Sequence, residues 1–105
     1  MYKRQVLGPL GPGATRKVFI AGNASVPTDA TSVLVRVTAI APTAATALTV
    51  WPTGQAQPTT SNVSAATGLR ANLALVPIGA DGTISVANLA GSSGVAIDVE
   101  GFVLS

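Results

Sequence analysis

The stretch SVLVRVTAI, residues 32–40, decides the predicted fold of this chain. Successive side chains of an extended strand point to opposite faces. Here they separate into two sets, with Val33, Val35 and Val37 on one face and Leu34, Arg36 and Thr38 on the other. Most of these side chains are β-branched, which disfavours a helix and suits a pleated surface. The stretch therefore predicts a β-strand with one buried face.

Similar short segments recur along the chain, separated by turn-forming residues. They are residues 16–22, 47–52, 62–66, 69–78, 83–88 and 95–103. In 69–78 the leucines alternate with Arg70 and Asn72, which predicts a strand with its apolar face on the leucine side. GADG at 79–82 and AGSSG at 90–94 are typical hairpin turn sequences. About seven short strands at this spacing predict an all-β, two-layer antiparallel β-sandwich, either jelly-roll or Ig-like.

The first fifteen residues differ from the rest of the chain. MYKRQ, residues 1–5, carries two basic residues, and it equals the translation of GTG-TAT-AAG-AGA-CAG, part of a common transposase sequencing adapter. We interpret it as a non-native tail, so the natural N-terminus and any signal peptide are expected to lie upstream. Residues 6–15, VLGPLGPGAT, predict an irregular lead-in. Residues 16–105 are then expected to form a single sandwich domain.

Composition argues against several classes of function. The sequence has no cysteine and no histidine, which removes disulfides, the usual zinc ligands and an imidazole base. Asp98 and Glu100 share one face of a strand, but a second charged cluster that could complete a glycosidase-type site is not evident. Oxygen ligands are too dispersed for a calcium loop. We expect no catalysis, no metal site and no cofactor.

Nucleic-acid binding and membrane insertion are also not expected. Without the tail, the chain has four basic and four acidic residues, so their charges balance, and the basic residues are scattered over three segments. Apolar runs are interrupted well before the roughly 18 residues that a membrane helix needs. The outward positions of the predicted strands are mostly Thr, Ser, Ala and Asn, which defend sheet edges poorly. We therefore expect a homo-oligomer formed through sheet edges.

One segment suggests a ligand site. Trp51, the only tryptophan, stands beside Pro52 at a predicted strand end, followed by a polar loop with Gln55 and Gln57. An aromatic plane next to amide groups could stack on a sugar of a polysaccharide or cell-wall component. The alternative, which we favour, is that Trp51 covers the end of the core. Three acidic residues, Asp29, Asp81 and Asp98, are interpreted as turn or backbone anchors.

Four segments of the chain carry a family resemblance when taken together. They are VPTDATSVLVRVTAIAPTAATALTVWPTG, SNVSAATG, NLALVPIGADGTISVANLAGSSG and DVEGF. They resemble a β-rich module of secreted actinobacterial proteins, with the pattern VPxDATAVVLNVTA, PTA, LTVYPxG, SNLN, ANLVxVPLG, GxVSxxNxxGS and DVxGYF. The resemblance covers about residues 7–103. The chain departs from the pattern at Arg36, where the family has Asn, at Trp51, where it has Tyr, and at Phe102-Val103, where it has Tyr-Phe.

The resemblance implies a location and a broad role. The family module usually begins with a further strand and an Asp-Thr-Arg motif, which implies an N-terminally truncated copy. It also implies a non-catalytic structural or interaction module that is extracellular or on the cell surface, with no ligand that can be carried over. Two alternatives stay open: a carbohydrate-binding accessory domain that uses Trp51, and a self-assembling coat or appendage subunit.

Overall fold

The computed structural model describes residues 4–22, 26–58, 63–65 and 70–104. Within these ranges the chain forms eight β-strands and no helix. The strands are β1 (Arg4–Leu10), β2 (Thr15–Phe19), β3 (Ala30–Ile40), β4 (Thr46–Pro52), β5 (Val63–Ala65), β6 (Arg70–Pro77), β7 (Thr83–Asn88) and β8 (Ser93–Leu104). The prediction of an all-β chain is confirmed.

The described strands form two four-stranded sheets. Sheet A has the order β1-β8-β3-β6 and sheet B the order β2-β7-β4-β5, with every neighbouring pair antiparallel. The pairs β1–β8, β2–β7, β3–β6 and β4–β5 are those of one long antiparallel ribbon folded over on itself, which is a jelly roll. An Ig-like sandwich would place the first two strands side by side in one sheet. The jelly-roll form of the prediction is therefore the one observed.

The core lies between the two sheets, and β3 contributes most to it. Its inward valines, Val33, Val35 and Val37, are fully buried and belong to the same core cluster as Ile84 and Val86 of β7, which are also fully buried. Since β3 has β8 on one side and β6 on the other, its backbone is paired along both edges. The strand with one buried face that the alternation in residues 32–40 predicts is confirmed, and it is an interior strand of sheet A.

The N-terminal prediction is wrong over the first strand. Residues 6–10, expected to be part of an irregular lead-in, belong to β1, and the sandwich begins before residue 16. Val6 lies opposite Ala96 of β8, and the register shifts between Leu7 and Leu10. Gly8 and Pro9 fall in that shift, and β1 is an edge strand, where proline is tolerated. The strand also includes Arg4 and Gln5 of the segment interpreted as a tail.

The two predicted hairpin turns are turns, but they do not connect hairpins. At GADG, the Gly82 N–H donates to the Gly79 carbonyl at 2.9 Å, yet the turn leads from β6 in sheet A to β7 in sheet B. The connection after β7 likewise crosses to β8 in sheet A. Local sequence determines a tight turn, whereas the packing of the whole chain determines which sheet the next strand joins.

Strand β6 faces the opposite way from the sequence expectation. Leu73 and Leu75 are 47% and 62% exposed, while Val76 is buried and Ala74 packs against the core. The side chains of β6 do alternate between the two faces, but Ala74 and Val76 point inward and the larger leucines point outward. The predicted apolar face of residues 69–78 is therefore an outer surface of sheet A.

Candidate functional site

Trp51 lies in β4, opposite Ser85 of β7. Its neighbour Val50 belongs to the core, so the alternation of the strand directs Trp51 to the outer side of sheet B. The indole is only 7% exposed there. A ring covered to this extent offers little surface for stacking on a sugar, and the burial favours a structural role for Trp51.

The loop after β4 carries the other two predicted ligand residues. Gln55 and Gln57 are exposed, and the Gln55 N–H donates to the Pro52 carbonyl at 3.3 Å in a turn. The two amides are accessible while the Trp51 ring is covered. The structure therefore does not bring the three residues together as one accessible surface.

Phe19 is an exposed aromatic side chain that the sequence reasoning did not single out. It ends β2, opposite Thr83, and is 65% exposed. Lys17 lies two residues earlier on the same face of the strand, and its Nζ is 3.5 Å from Asp81 Oδ2. The exposure of Phe19 could have been predicted only from the alternation of β2, in which the neighbouring Val18 is the buried residue.

Asp81 stabilises the turn between β6 and β7. Its Oδ1 accepts hydrogen bonds from the Thr83 hydroxyl at 2.7 Å and the Thr83 N–H at 3.2 Å. The Thr83 hydroxyl is the main cause that lowers the pKa of Asp81 below its ordinary value. Desolvation, the next largest cause, raises this pKa, and the Thr83 N–H and the Lys17 ammonium lower it further. This geometry holds an ionised carboxylate in the turn.

The remaining acidic residues occupy different environments. Asp29 is exposed in the turn before β3. Asp98 lies within β8, opposite Arg36 of β3, so the expected turn role does not apply to it, because a central strand occupies this position. Glu100 follows on β8 and is exposed. Among the described residues, groups of three or more acidic side chains that could hold a metal ion do not occur.

Apolar side chains from three neighbouring strands lie together on the outer side of sheet A. Leu34 lies opposite Leu75, and Arg36 lies opposite Leu73, across the β3–β6 pair. Val103 of β8, 46% exposed, lies opposite Ser32 of β3. We name the four apolar side chains Leu34, Leu73, Leu75 and Val103 the leucine face. It extends from β8 across β3 to the edge strand β6.

Comparison with models of known protein families finds no match, and comparison with curated protein sequences finds none. In the part of the chain that the structure describes, helices that could cross a membrane are not found. Two members of the leucine face, Leu73 and Leu75, lie on the side of their strand that the sequence predicted to be buried.

Proposed function

We propose that the chain is a non-catalytic interaction module that contacts its partner through the leucine face. The observation that carries the proposal is the orientation of β6, which directs Leu73 and Leu75 to the surface and the smaller Ala74 to the core. Single exposed apolar residues are ordinary, but contiguous apolar patches mark contact sites. Leu34 and Leu75, directly opposite on neighbouring strands, make this patch contiguous.

The arrangement of charges around the leucine face supports an interface. Arg36 and Asp98 lie opposite each other beside the leucines, and Glu100 is exposed further along β8. Protein interfaces commonly have an apolar centre and a polar rim. The fold does not decide the function, because jelly rolls serve as lectins, capsid proteins and enzymes alike. The proposal therefore rests on the apolar chemistry of the leucine face and not on the fold.

The location of the module is part of the proposal. The motif resemblance described above supports an exported module, either extracellular or attached to the cell surface. A weakly charged, Thr- and Ala-rich composition with only ten charged side chains, six basic and four acidic, fits a partner that is recognised by shape and apolar contact rather than by strong charge.

Co-sedimentation with cell envelopes tests this function. The purified full chain is mixed with washed cell envelopes of an actinobacterium and pelleted, and the bound fraction is measured. The double variant Leu73→Lys/Leu75→Lys should lose most of the bound fraction. The matched control is Leu89→Lys, because Leu89 is 70% exposed and lies in the β7–β8 connection, away from the leucine face.

Circular dichroism of the variants gives the folding control, since both leucines lie outside the core. Equal binding of the double variant and the wild-type chain would remove the leucine face as the contact surface. A wild-type chain that does not pellet with envelopes at all would remove the cell-surface role.

A further inference from the structure

We infer that the partner of the leucine face is a second copy of this chain, with β6 of one copy pairing antiparallel with β6 of the other. The inference rests on the proposed function and names the partner of the same surface: envelope binding is then pairing with copies of the module displayed on the envelope. Among the described strands, β6 forms one edge of sheet A.

Two hydrogen bonds show which backbone groups of β6 face outward. The Ile78 N–H donates to the Thr31 carbonyl at 2.9 Å, so residues in the even positions of this strand face β3. The Leu73 N–H instead donates to the side-chain oxygen of Asn72 at 2.9 Å. Ala71, Leu73 and Leu75 therefore present their N–H and C=O groups at the outer edge of the sheet, and among the described strands none pairs with β6 on that side.

The outward side chains fit a two-fold symmetric pair. In an antiparallel pairing centred on Ala74, Leu73 lies opposite Leu75 of the second copy, and the same contact repeats across the axis. Each of these opposed pairs exchanges two main-chain hydrogen bonds, and its side chains lie on the same face. Four leucines then form one cluster on a continuous eight-stranded sheet, flanked by Leu34 of each copy.

Charge does not oppose this contact. Residues 71–80 contain no charged side chain, and the Arg70 position would lie opposite Ile78 of the second copy. Natural edge strands are commonly protected from pairing by lysine or other charges, which β6 lacks between its ends. The net charge of +2 leaves little repulsion between copies.

Two features limit the strength of the dimer. The Asn72 side chain occupies the Leu73 N–H and has to release it before the strands pair. Pro77 has no N–H to donate at the end of the strand. Pairing along one strand edge also covers less than the roughly 800 Å² per partner of a stable interface, compared with a total surface of 5360 Å². We therefore expect a reversible, concentration-dependent dimer.

Sedimentation velocity of the full chain over a wide concentration range tests the inference. The wild-type chain should shift from monomer to dimer as its concentration rises. Leu75→Lys should weaken dimerisation by roughly tenfold or more, because it places two ammonium groups in the leucine cluster. Asn72→Ala should strengthen it by about threefold by freeing the Leu73 N–H. Leu89→Lys should leave it unchanged.

Amide hydrogen exchange provides a second measurement on the same samples. In the wild-type chain, the amides of Leu73 and Leu75 should exchange more slowly at high protein concentration. In Leu75→Lys, the amide of Leu73 should exchange fast at every concentration. A chain that stays monomeric both as wild type and as Asn72→Ala overturns the inference. A dimer that Leu75→Lys leaves intact overturns it too. In either case, envelope binding that still depends on Leu73 and Leu75 leaves the proposed function standing.

Discussion

The Thr46 hydroxyl donates a hydrogen bond to Asn88 Oδ1 in the interior of the sandwich, where Asn88 is fully buried. The Asn88 amide group in turn donates to the carbonyls of Leu10 at 2.8 Å and Gly91 at 3.0 Å. Thr46 also accepts the Ala90 N–H at 2.9 Å. Four segments of the chain, from β1, β4, β7 and the β7–β8 connection, thus meet at one amide side chain.

Replacing this amide should destabilise the fold more than any surface change. Asn88→Ala removes the amide donor from the buried Leu10 carbonyl and the part-buried Gly91 carbonyl, and an unsatisfied buried group costs about 1–3 kcal/mol. We expect a loss of about 3 kcal/mol in the free energy of unfolding, measured by urea denaturation. Thr46→Ser keeps the hydroxyl and should cost about 1 kcal/mol. A loss below 1 kcal/mol for Asn88→Ala would mean that water replaces the amide.

Sequence patterning could not identify the role of Asn88. An asparagine at the end of the apolar segment TISVAN resembles an ordinary strand end before a turn. Its main-chain partner Leu10 lies 78 residues away in the chain. Such a bond depends on the jelly-roll wrapping that brings the end of β1 in sheet A to the end of β7 in sheet B, and β1 was itself obscured by Gly8 and Pro9.

The orientation of β6 gives a paired prediction. Leu75→Ala should change the free energy of unfolding by less than about 0.5 kcal/mol, because the side chain is 62% exposed. Val76→Ala should cost about 2 kcal/mol, because Val76 is buried in the core. Thermal and urea unfolding of the two variants measure the difference. The reverse order would show that β6 faces the core with its leucines in solution.

The strands themselves were largely predictable, and their assignment to sheets was not. All seven predicted strand segments coincide with observed strands to within a few residues, and residues 83–88 coincide fully with β7. Period-two patterning reports which segments are extended. It does not report whether Leu75 or Val76 faces the core, because both sides of β6 carry apolar residues and the choice depends on the packing against β3.

Gly79 is required by the close approach of the β4–β5 loop to the turn after β6. A Cβ atom at Gly79 would lie 2.5 Å from the Thr53 carbonyl oxygen and 2.8 Å from the Thr83 carbonyl oxygen, both backbone atoms that cannot rotate away. Gly79→Ala should therefore cost about 2 kcal/mol or more in unfolding free energy. Gly11→Ala, where nothing lies within 4 Å of the added carbon, is the matched control and should stay within about 1 kcal/mol.

The Asp81 turn should make stability depend on pH at the acid end. The folded-state pKa of Asp81 is lowered from its ordinary value of 3.8, chiefly by the Thr83 hydroxyl. The ionised Asp81 carboxylate therefore contributes its full stabilisation of the fold above pH 3.8, the ordinary pKa. This contribution is lost as the pH falls from there toward the lowered pKa of the folded state. Urea midpoints measured from pH 6 to pH 2 should fall less steeply in Asp81→Asn than in the wild-type chain. Parallel curves would show that the turn hydrogen bonds do not favour the ionised form.

The placement of Trp51 separates a structural role from carbohydrate binding. Trp51→Ala removes a ring that is 7% exposed, and loss of a buried tryptophan costs about 3–5 kcal/mol. Phe19→Ala removes a ring that is 65% exposed and should cost less than about 1 kcal/mol. Unfolding curves for the two variants check this order directly.

Retention on insoluble polysaccharide then decides what the Trp51 ring does. Loss of retention in Trp51→Ala alone does not identify a sugar contact, because the variant is expected to be poorly folded. Trp51→Phe keeps an aromatic ring in the covered position and most of the stability, so its retention should equal that of the wild-type chain. A well-folded Trp51→Phe that no longer binds a polysaccharide held by the wild type would instead show direct stacking by the indole. The ring would then have to leave its place beside Ser85 to reach the sugar, since the folded chain keeps it covered.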